Sequence, residues 1–197
     1  MTDLGGAGAT GASAGAGASA GAGAGAGTSA GAGAAATNFD VSRYQQPQDI
    51  QRVLFNSRTI AIVGLSGNPL RASYFVGFYL QRHGYRIIPV NPKETEVLGE
   101  RSYPSLRDVK EPIDIVNVFR APAALPGIAA DAVAIGAKCL WCQFNVINEE
   151  GARIAEAGGL TVIMDRCIKV EHARFVGRMH WLGFNTDRVT SRRGGLQ

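Results

Sequence analysis

The sequence predicts an α/β fold: a doubly wound parallel sheet of about five strands with helices on both faces. Two observations predict it. Short, almost wholly apolar runs recur along the chain, as strands buried on both faces require. Between them lie segments with the apolar spacing of helices, several ending in glycine. Strand and helix alternate at a regular interval, which implies right-handed βαβ crossovers.

The elements follow in order. Pro47-Gln48-Asp49 sets proline in a first helical turn with an early acid, and Ile50, Val53 and Leu54 then share one face. Thr59-Ile60-Ala61-Ile62-Val63 is the first strand, closed by Gly64. A helix is expected over 73–83, carrying Tyr74, Phe75, Val76, Phe78 and Tyr79, with Gly84 as its stop. The second strand is Arg86-Ile87-Ile88-Pro89-Val90 and ends at Asn91-Pro92; the third covers 113–118. Cys139 to Cys142 form the fourth, and 160–164 the fifth. Helical spacing fills 122–136 and 148–158.

Composition divides the 197 residues unevenly. Glycine and alanine make up 27 of the first 36 residues, and only Asp3 is charged there. Such a segment buries no side chains and loses the most backbone entropy on ordering, so it cannot join a core. Residues 1–37 therefore read as a disordered leader, 38–178 as the folded domain, and 179–197 as a partly disordered extension. Trp181, Leu182 and Phe184 in that extension would pack locally or against a second copy of the chain.

No apolar run approaches the roughly 18 residues that span a bilayer, and the N-terminus lacks the basic and Leu-rich regions of a secretory signal. Three cysteines make no disulfide framework and suit a reducing compartment, so a cytoplasmic protein is expected. A net charge of +4, without a dense basic stripe beyond Arg188, Arg192 and Arg193, gives no case for nucleic acid.

Ligands on such sheets bind outside the carboxyl ends of the strands, where strand order reverses. After the first strand comes Gly64-Leu65-Ser66-Gly67-Asn68-Pro69-Leu70-Arg71-Ala72-Ser73. Glycine permits a tight turn, the helix start offers unpaired N–H groups, the serines add hydroxyls, and Arg71 can form two bonds to a phosphate. A diphosphate suits this loop. The plainer alternative is that Gly64 only turns the chain and Ser73 only caps the helix.

The loop departs from the dinucleotide fingerprint G-x-G-x-x-G: Ser66 stands at the second glycine and Pro69 at the third. Val90-Asn91-Pro92-Lys93 also ends in a cation where that fingerprint wants a carboxylate for the ribose diol. Lys93 favours a phosphorylated ribose, which counts against NAD but not against NADP. Glu94 and Glu96 nearby leave an acid within a shifted register.

The run from Ile60 to about Arg174 resembles the CoA-binding domain found as small free-standing proteins. It is similar to the Rossmann-like CoA-binding domain of the succinyl-CoA synthetase α subunit. The motifs that carry the resemblance are G-x-S-x-x-P-x-R-x-S at 64–73, Tyr79-Leu80 before His83-Gly84-Tyr85, and Pro89-Val90-Asn91-Pro92. Further along are Leu98-Gly99-Glu100, Val118-Phe119-Arg120, Trp141-Cys142-Gln143 and Met164-Asp165-Arg166-Cys167. The resemblance implies that Gly64, Ser66, Arg71 and Ser73 hold the diphosphate of CoA or an acyl-CoA. By the same likeness, Asn91, Pro92 and Lys93 sit near the adenosine and its 3′-phosphate. Phe119, Arg120 and Pro122 would line the pantetheine path, and Gln143 would close it. For Phe119 and Trp141, ordinary core packing stands as the alternative.

Candidates for catalysis are few. Cys139-Leu140-Trp141-Cys142 has C-x-x-C spacing, but residues three apart on a strand point to opposite faces, so core thiols are expected. Cys167 and His172, with Asp165 nearby, could form a nucleophile pair, and the cations Arg166 and Lys169 could activate the thiol. In the synthetase a phosphohistidine acts from a part of the subunit beyond the nucleotide domain, so the free-standing members look like binding proteins. The expectation is thus a CoA-binding protein with no catalytic or metal-ligating residues. Its rivals are an NADP-dependent oxidoreductase and a thiol-regulated interaction protein acting through Cys167.

Overall fold

A five-stranded sheet organises the molecule, in a computed structural model that describes residues 39–177. The leader at 1–37 and the extension at 179–197 lie outside the described residues.

The strands of the sheet are β1 (Thr59–Val63), β2 (Arg86–Val90), β5 (Ile115–Val118), β6 (Cys139–Cys142) and β7 (Thr161–Ile163). Two further short strands, β3 (Glu96–Val97) and β4 (Glu100–Arg101), form a separate antiparallel hairpin. Spatial order in the main sheet is β2-β1-β5-β6-β7, and every neighbouring pair is parallel. The chain moves outward from β1 to β2, returns past β1 to β5, and continues outward through β6 to β7. That pattern is a doubly wound sheet, and its reversal lies between β1 and β5.

Side chains alternate across the sheet and divide the core in two. On one face Ile60, Ile62, Ile87, Ile115, Cys139, Trp141 and Ile163 pack under α1 (Pro47–Asn56), α2 (Ala72–Arg82) and α5 (Ile168–Phe175). On the other, Ala61, Ile88, Val90, Val116, Val118, Leu140, Cys142 and Val162 pack under α3 (Leu125–Ala134) and α4 (Glu149–Ala157). Trp141 is fully buried, and its indole N–H donates to the Arg166 carbonyl at 2.8 Å.

The helices begin and end as their sequences direct. α1 has proline in its first turn. Asn148 caps α4 by accepting from the Gly151 N–H at 2.8 Å, and Gly158 closes that helix. The segment expected to be one helix over 122–136 opens instead as a 3-10 turn, Pro122–Ala124, before α3.

Two features depart from the regular alternation. The crossover from β2 to β5 contains no α-helix; the β3–β4 hairpin and a 3-10 turn at Leu106–Asp108 occupy it, with Leu106 and Val109 in the core. The second departure is α5, which brings buried charge into the fold. Glu171 is fully buried and ion-paired with Arg174 at 2.7 Å and Arg166 at 3.5 Å. Burial pushes the Glu171 carboxyl up, against the downward pull of Arg174 and Arg166.

Candidate ligand-binding crevice at the switch point

The ends of β1 and β5 meet in a narrow gap. Gly64 follows β1 with φ 87°, a conformation that favours glycine, and donates its N–H to the Val90 carbonyl at 2.8 Å. Phe119 follows β5 and donates its N–H to the Val63 carbonyl at 2.9 Å. A side chain on Gly64 would meet the Phe119 carbonyl and the Arg120 side chain.

Cavities open on both sides of Gly64. One, of about 380 Å³, is lined by Gly64, Ser66, Arg71, Ala72, Ser73 and Phe119. The other, of about 230 Å³, is bordered by Gly64, Pro92, Ser105, Leu106, Arg120 and Asp131, among others. An ion pair between Arg107 and Asp131, 2.5 Å long, stands at its rim.

Most of the loop between β1 and α2 is held by its own side chains. Ser66 N–H donates to Ser73 Oγ at 3.2 Å, Asn68 N–H to Ser66 Oγ at 3.1 Å, and Leu70 N–H to Asn68 Oδ1 at 2.9 Å. Gly67 differs: its N–H donates to Glu94 Oε1 at 2.9 Å, a carboxylate from the loop after β2. Ser73 does not cap α2. Arg71 stands at the cap position, where a guanidinium has no acceptor to offer, and the Ser73 hydroxyl accepts from the loop instead. The first turn therefore presents the N–H groups of Ala72, Ser73 and Tyr74 without helical partners beside an exposed guanidinium, an arrangement suited to an anion.

The loop after β2 is tied to the same region. Asn91 is buried; its Nδ2 donates to the Leu65 carbonyl at 2.9 Å and its Oδ1 accepts from the Lys93 N–H at 3.1 Å. The side chain of Asn91 thus brackets two loops. Lys93 and Pro122 are exposed and line neither cavity, while Pro92 and Arg120 face the smaller one. Phe119 is half-buried and packs against the α2 side of the core. Gln143 is buried, donates from Nε2 to Asn117 Oδ1 at 2.8 Å, and lines neither cavity. Asn117 is fully buried on β5, and its Nδ2 finds no partner among the described residues.

With this geometry in place, residues 58–173 match the model of the CoA binding domain. The chain belongs to the CoA binding domain family. It is 46% identical over 125 residues to the uncharacterized protein YneT of Bacillus subtilis, covering 64% of this chain and 93% of that one. It is 27% identical over 127 residues to the α subunit of acetate–CoA ligase (ADP-forming) II of Pyrococcus furiosus, covering 59% of this chain and 28% of that subunit. Among solved structures, a hypothetical protein from Pyrococcus horikoshii is 39% identical with a TM-score of 0.65, covering 67% of this chain and 93% of that one.

The thiols of this CoA binding domain are distributed as strand geometry requires. Cys139 and Cys142 are buried on opposite faces of β6, and burial raises the pKa of both. Cys167 is half-buried at the start of α5. Lys169 Nζ lies 4.3 Å from the Phe75 ring centroid, which sets the start of α5 beside the start of α2. His172 does not pair with Cys167. Five positions on, it has turned to another side of α5, where its Nδ1 meets the Tyr79 hydroxyl at 3.1 Å. Asp165 is also committed, accepting the Asn145 N–H at 2.8 Å. No helix among the described residues is long and apolar enough to cross a membrane.

Proposed function

We propose that this CoA binding domain holds coenzyme A, or an acyl-CoA, across the carboxyl edge of the sheet, in the cytoplasm, without turnover of its own. The observation that carries the reading is the pair of cavities meeting at Gly64. One is flanked by the uncapped start of α2 and Arg71, the other by Pro92 and Arg120. Coenzyme A is long and anionic at its nucleotide end and amide-bearing along its arm, so it wants cations at one end and mixed surfaces at the other.

In this reading Gly64, Ser66, Arg71 and Ser73 take the diphosphate. Asn91 shapes the adenosine side, Pro92 packs against it, and Lys93 meets the 3′-phosphate from the rim. Phe119, Arg120 and Pro122 border the pantetheine arm. Gln143, bonded to Asn117, closes that path. The ligase relative supports the ligand through its name; the chain spans 28% of that subunit, so its activity is not carried over. An NADP-dependent oxidoreductase is disfavoured by Ser66 and Pro69 at the glycine positions of the dinucleotide loop.

Thermal unfolding with CoA, dephospho-CoA, NADPH and NADH tests the reading. A ligand at about 100 times its Kd adds about 2.7 kcal/mol, a shift of several degrees here. CoA is expected to give the largest shift and dephospho-CoA a smaller one, with Lys93→Ala erasing the difference. A larger shift with NADPH, or none with CoA, overturns it.

A further inference from the structure

The opposite edge of the sheet holds another cavity, of about 160 Å³. Three helices end at it. Ser57 closes α1, His83 closes α2 and Val176 closes α5, and all three residues line the space. Helix carboxyl ends each carry roughly half a negative charge, so their convergence favours a cation. Arg58, exposed on the same wall, is one such cation.

Two imidazoles also line it. His172 is buried and His83 exposed, with ring centroids 5.0 Å apart and planes at 69°. Tyr79 holds both rings. Its carbonyl accepts from His83 Nδ1 at 2.7 Å, and its hydroxyl bonds His172 Nδ1 at 3.1 Å. A carbonyl can only accept, so neutral His83 carries its proton on Nδ1 and keeps the Nε2 lone pair free. A hydroxyl can accept as well as donate, so His172 can take the same tautomer. Metal-bound histidines are oriented in this way, the outer N–H given to an oxygen. With Zn–N bonds of about 2.0–2.1 Å, two rings on one tetrahedral ion have centroids about 5 Å apart.

We propose that His83 and His172 form a two-imidazole site for a divalent transition-metal ion of the zinc, nickel or copper kind. Imidazole nitrogen suits these ions. Among the described residues no group of three or more His, Cys, Asp or Glu could hold a metal. The ion therefore keeps its remaining positions for water or an incoming ligand. Aromatic packing accounts for the contacts of Tyr79 and Tyr85 with His172. It does not account for both Nδ1 atoms being tied to one residue while both histidines line one cavity.

Calorimetric titration of the untagged full chain with Zn²⁺ or Ni²⁺ alone, after chelator treatment, tests the site. One ion per chain is expected, with nitrogen NMR placing it on Nε2 of both rings. His83→Gln is expected to weaken binding at least tenfold while the metal-free protein stays folded, its unfolding midpoint lowered by no more than a few degrees. His180→Ala and Cys167→Ser remove the third histidine and the half-buried thiol, and each is expected to leave affinity unchanged. No binding by the wild type, wild-type affinity in His83→Gln, or loss in either control overturns the proposal.

Discussion

A methyl group on Gly64 would lie 2.6 Å from the carbonyl oxygen of Phe119. The backbone after β5 therefore passes Gly64 too closely to admit a side chain there. Gly64→Ala must part them and also hold alanine at φ 87°. We expect a loss of about 2 kcal/mol or more, read from urea unfolding. A variant within roughly 0.5 kcal/mol of wild type would show that the strands separate freely.

Arg71 is exposed and lines the larger cavity. If it meets a diphosphate, the bonds it makes are charge-assisted and worth about 1.5–3 kcal/mol. Arg71→Ala should therefore weaken CoA and dephospho-CoA alike, by about tenfold or more. Unequal losses measured by titration would move Arg71 to the 3′-phosphate instead.

Asn91 joins the loops after β1 and β2 from a buried position. Asn91→Ala strands the Leu65 carbonyl and the Lys93 N–H, at a cost of about 1–3 kcal/mol. Hydrogen exchange at the Lys93 amide should accelerate more than exchange in β6. Equal protection in the variant would contradict the bracket.

At the opposite edge, Asp114 Oδ2 accepts the N–H groups of Arg58 and Thr59 at 2.7 and 3.0 Å, and its Oδ1 pairs with Lys138 at 2.7 Å. Burial alone would raise this carboxyl, but Lys138 and the two backbone donors outweigh it and hold the pKa below the usual value. The stabilisation is therefore present above about pH 4 and is lost as pH falls through the depressed pKa. Asp114→Asn should be the less stable protein at pH 7 by about 2 kcal/mol, and the gap should close toward pH 2. A gap that stays constant across acid unfolding would exclude this linkage.

The three thiols should divide sharply in reactivity. Only Cys167 is expected to react with an aromatic disulfide reagent in the native protein, and all three in denaturant. Native reaction of Cys139 or Cys142 would mean that the sheet opens on the time scale of the assay.

Much of the fold was legible because buried parallel strands are written as apolar runs. The loop at 64–73 could be read for the same reason, since a glycine directly after such a run marks the carboxyl edge. α5 could not. Its inward side includes Glu171, His172 and Arg174, so no apolar periodicity announces it. The β3–β4 hairpin escaped because its strands are two residues long and Leu98 takes a left-handed turn position, φ 59°, that glycine or asparagine would have signalled. At the crevice, Glu94 reaches Gly67 from 27 residues away, a contact made only by the tertiary fold. Asn117 was visible within Ile115-Val116-Asn117-Val118, but nothing local distinguishes a buried amide that will meet Gln143 from an interruption of the strand.

Trp141 gives this chain an optical reporter that needs no label. Its indole is sealed from solvent beneath α2 and α5 and anchored to the carbonyl of Arg166. Its fluorescence should be blue-shifted and resistant to acrylamide quenching. With Trp181→Phe removing the other emitter, a red shift on heating would follow the loosening of these two helices from the sheet directly.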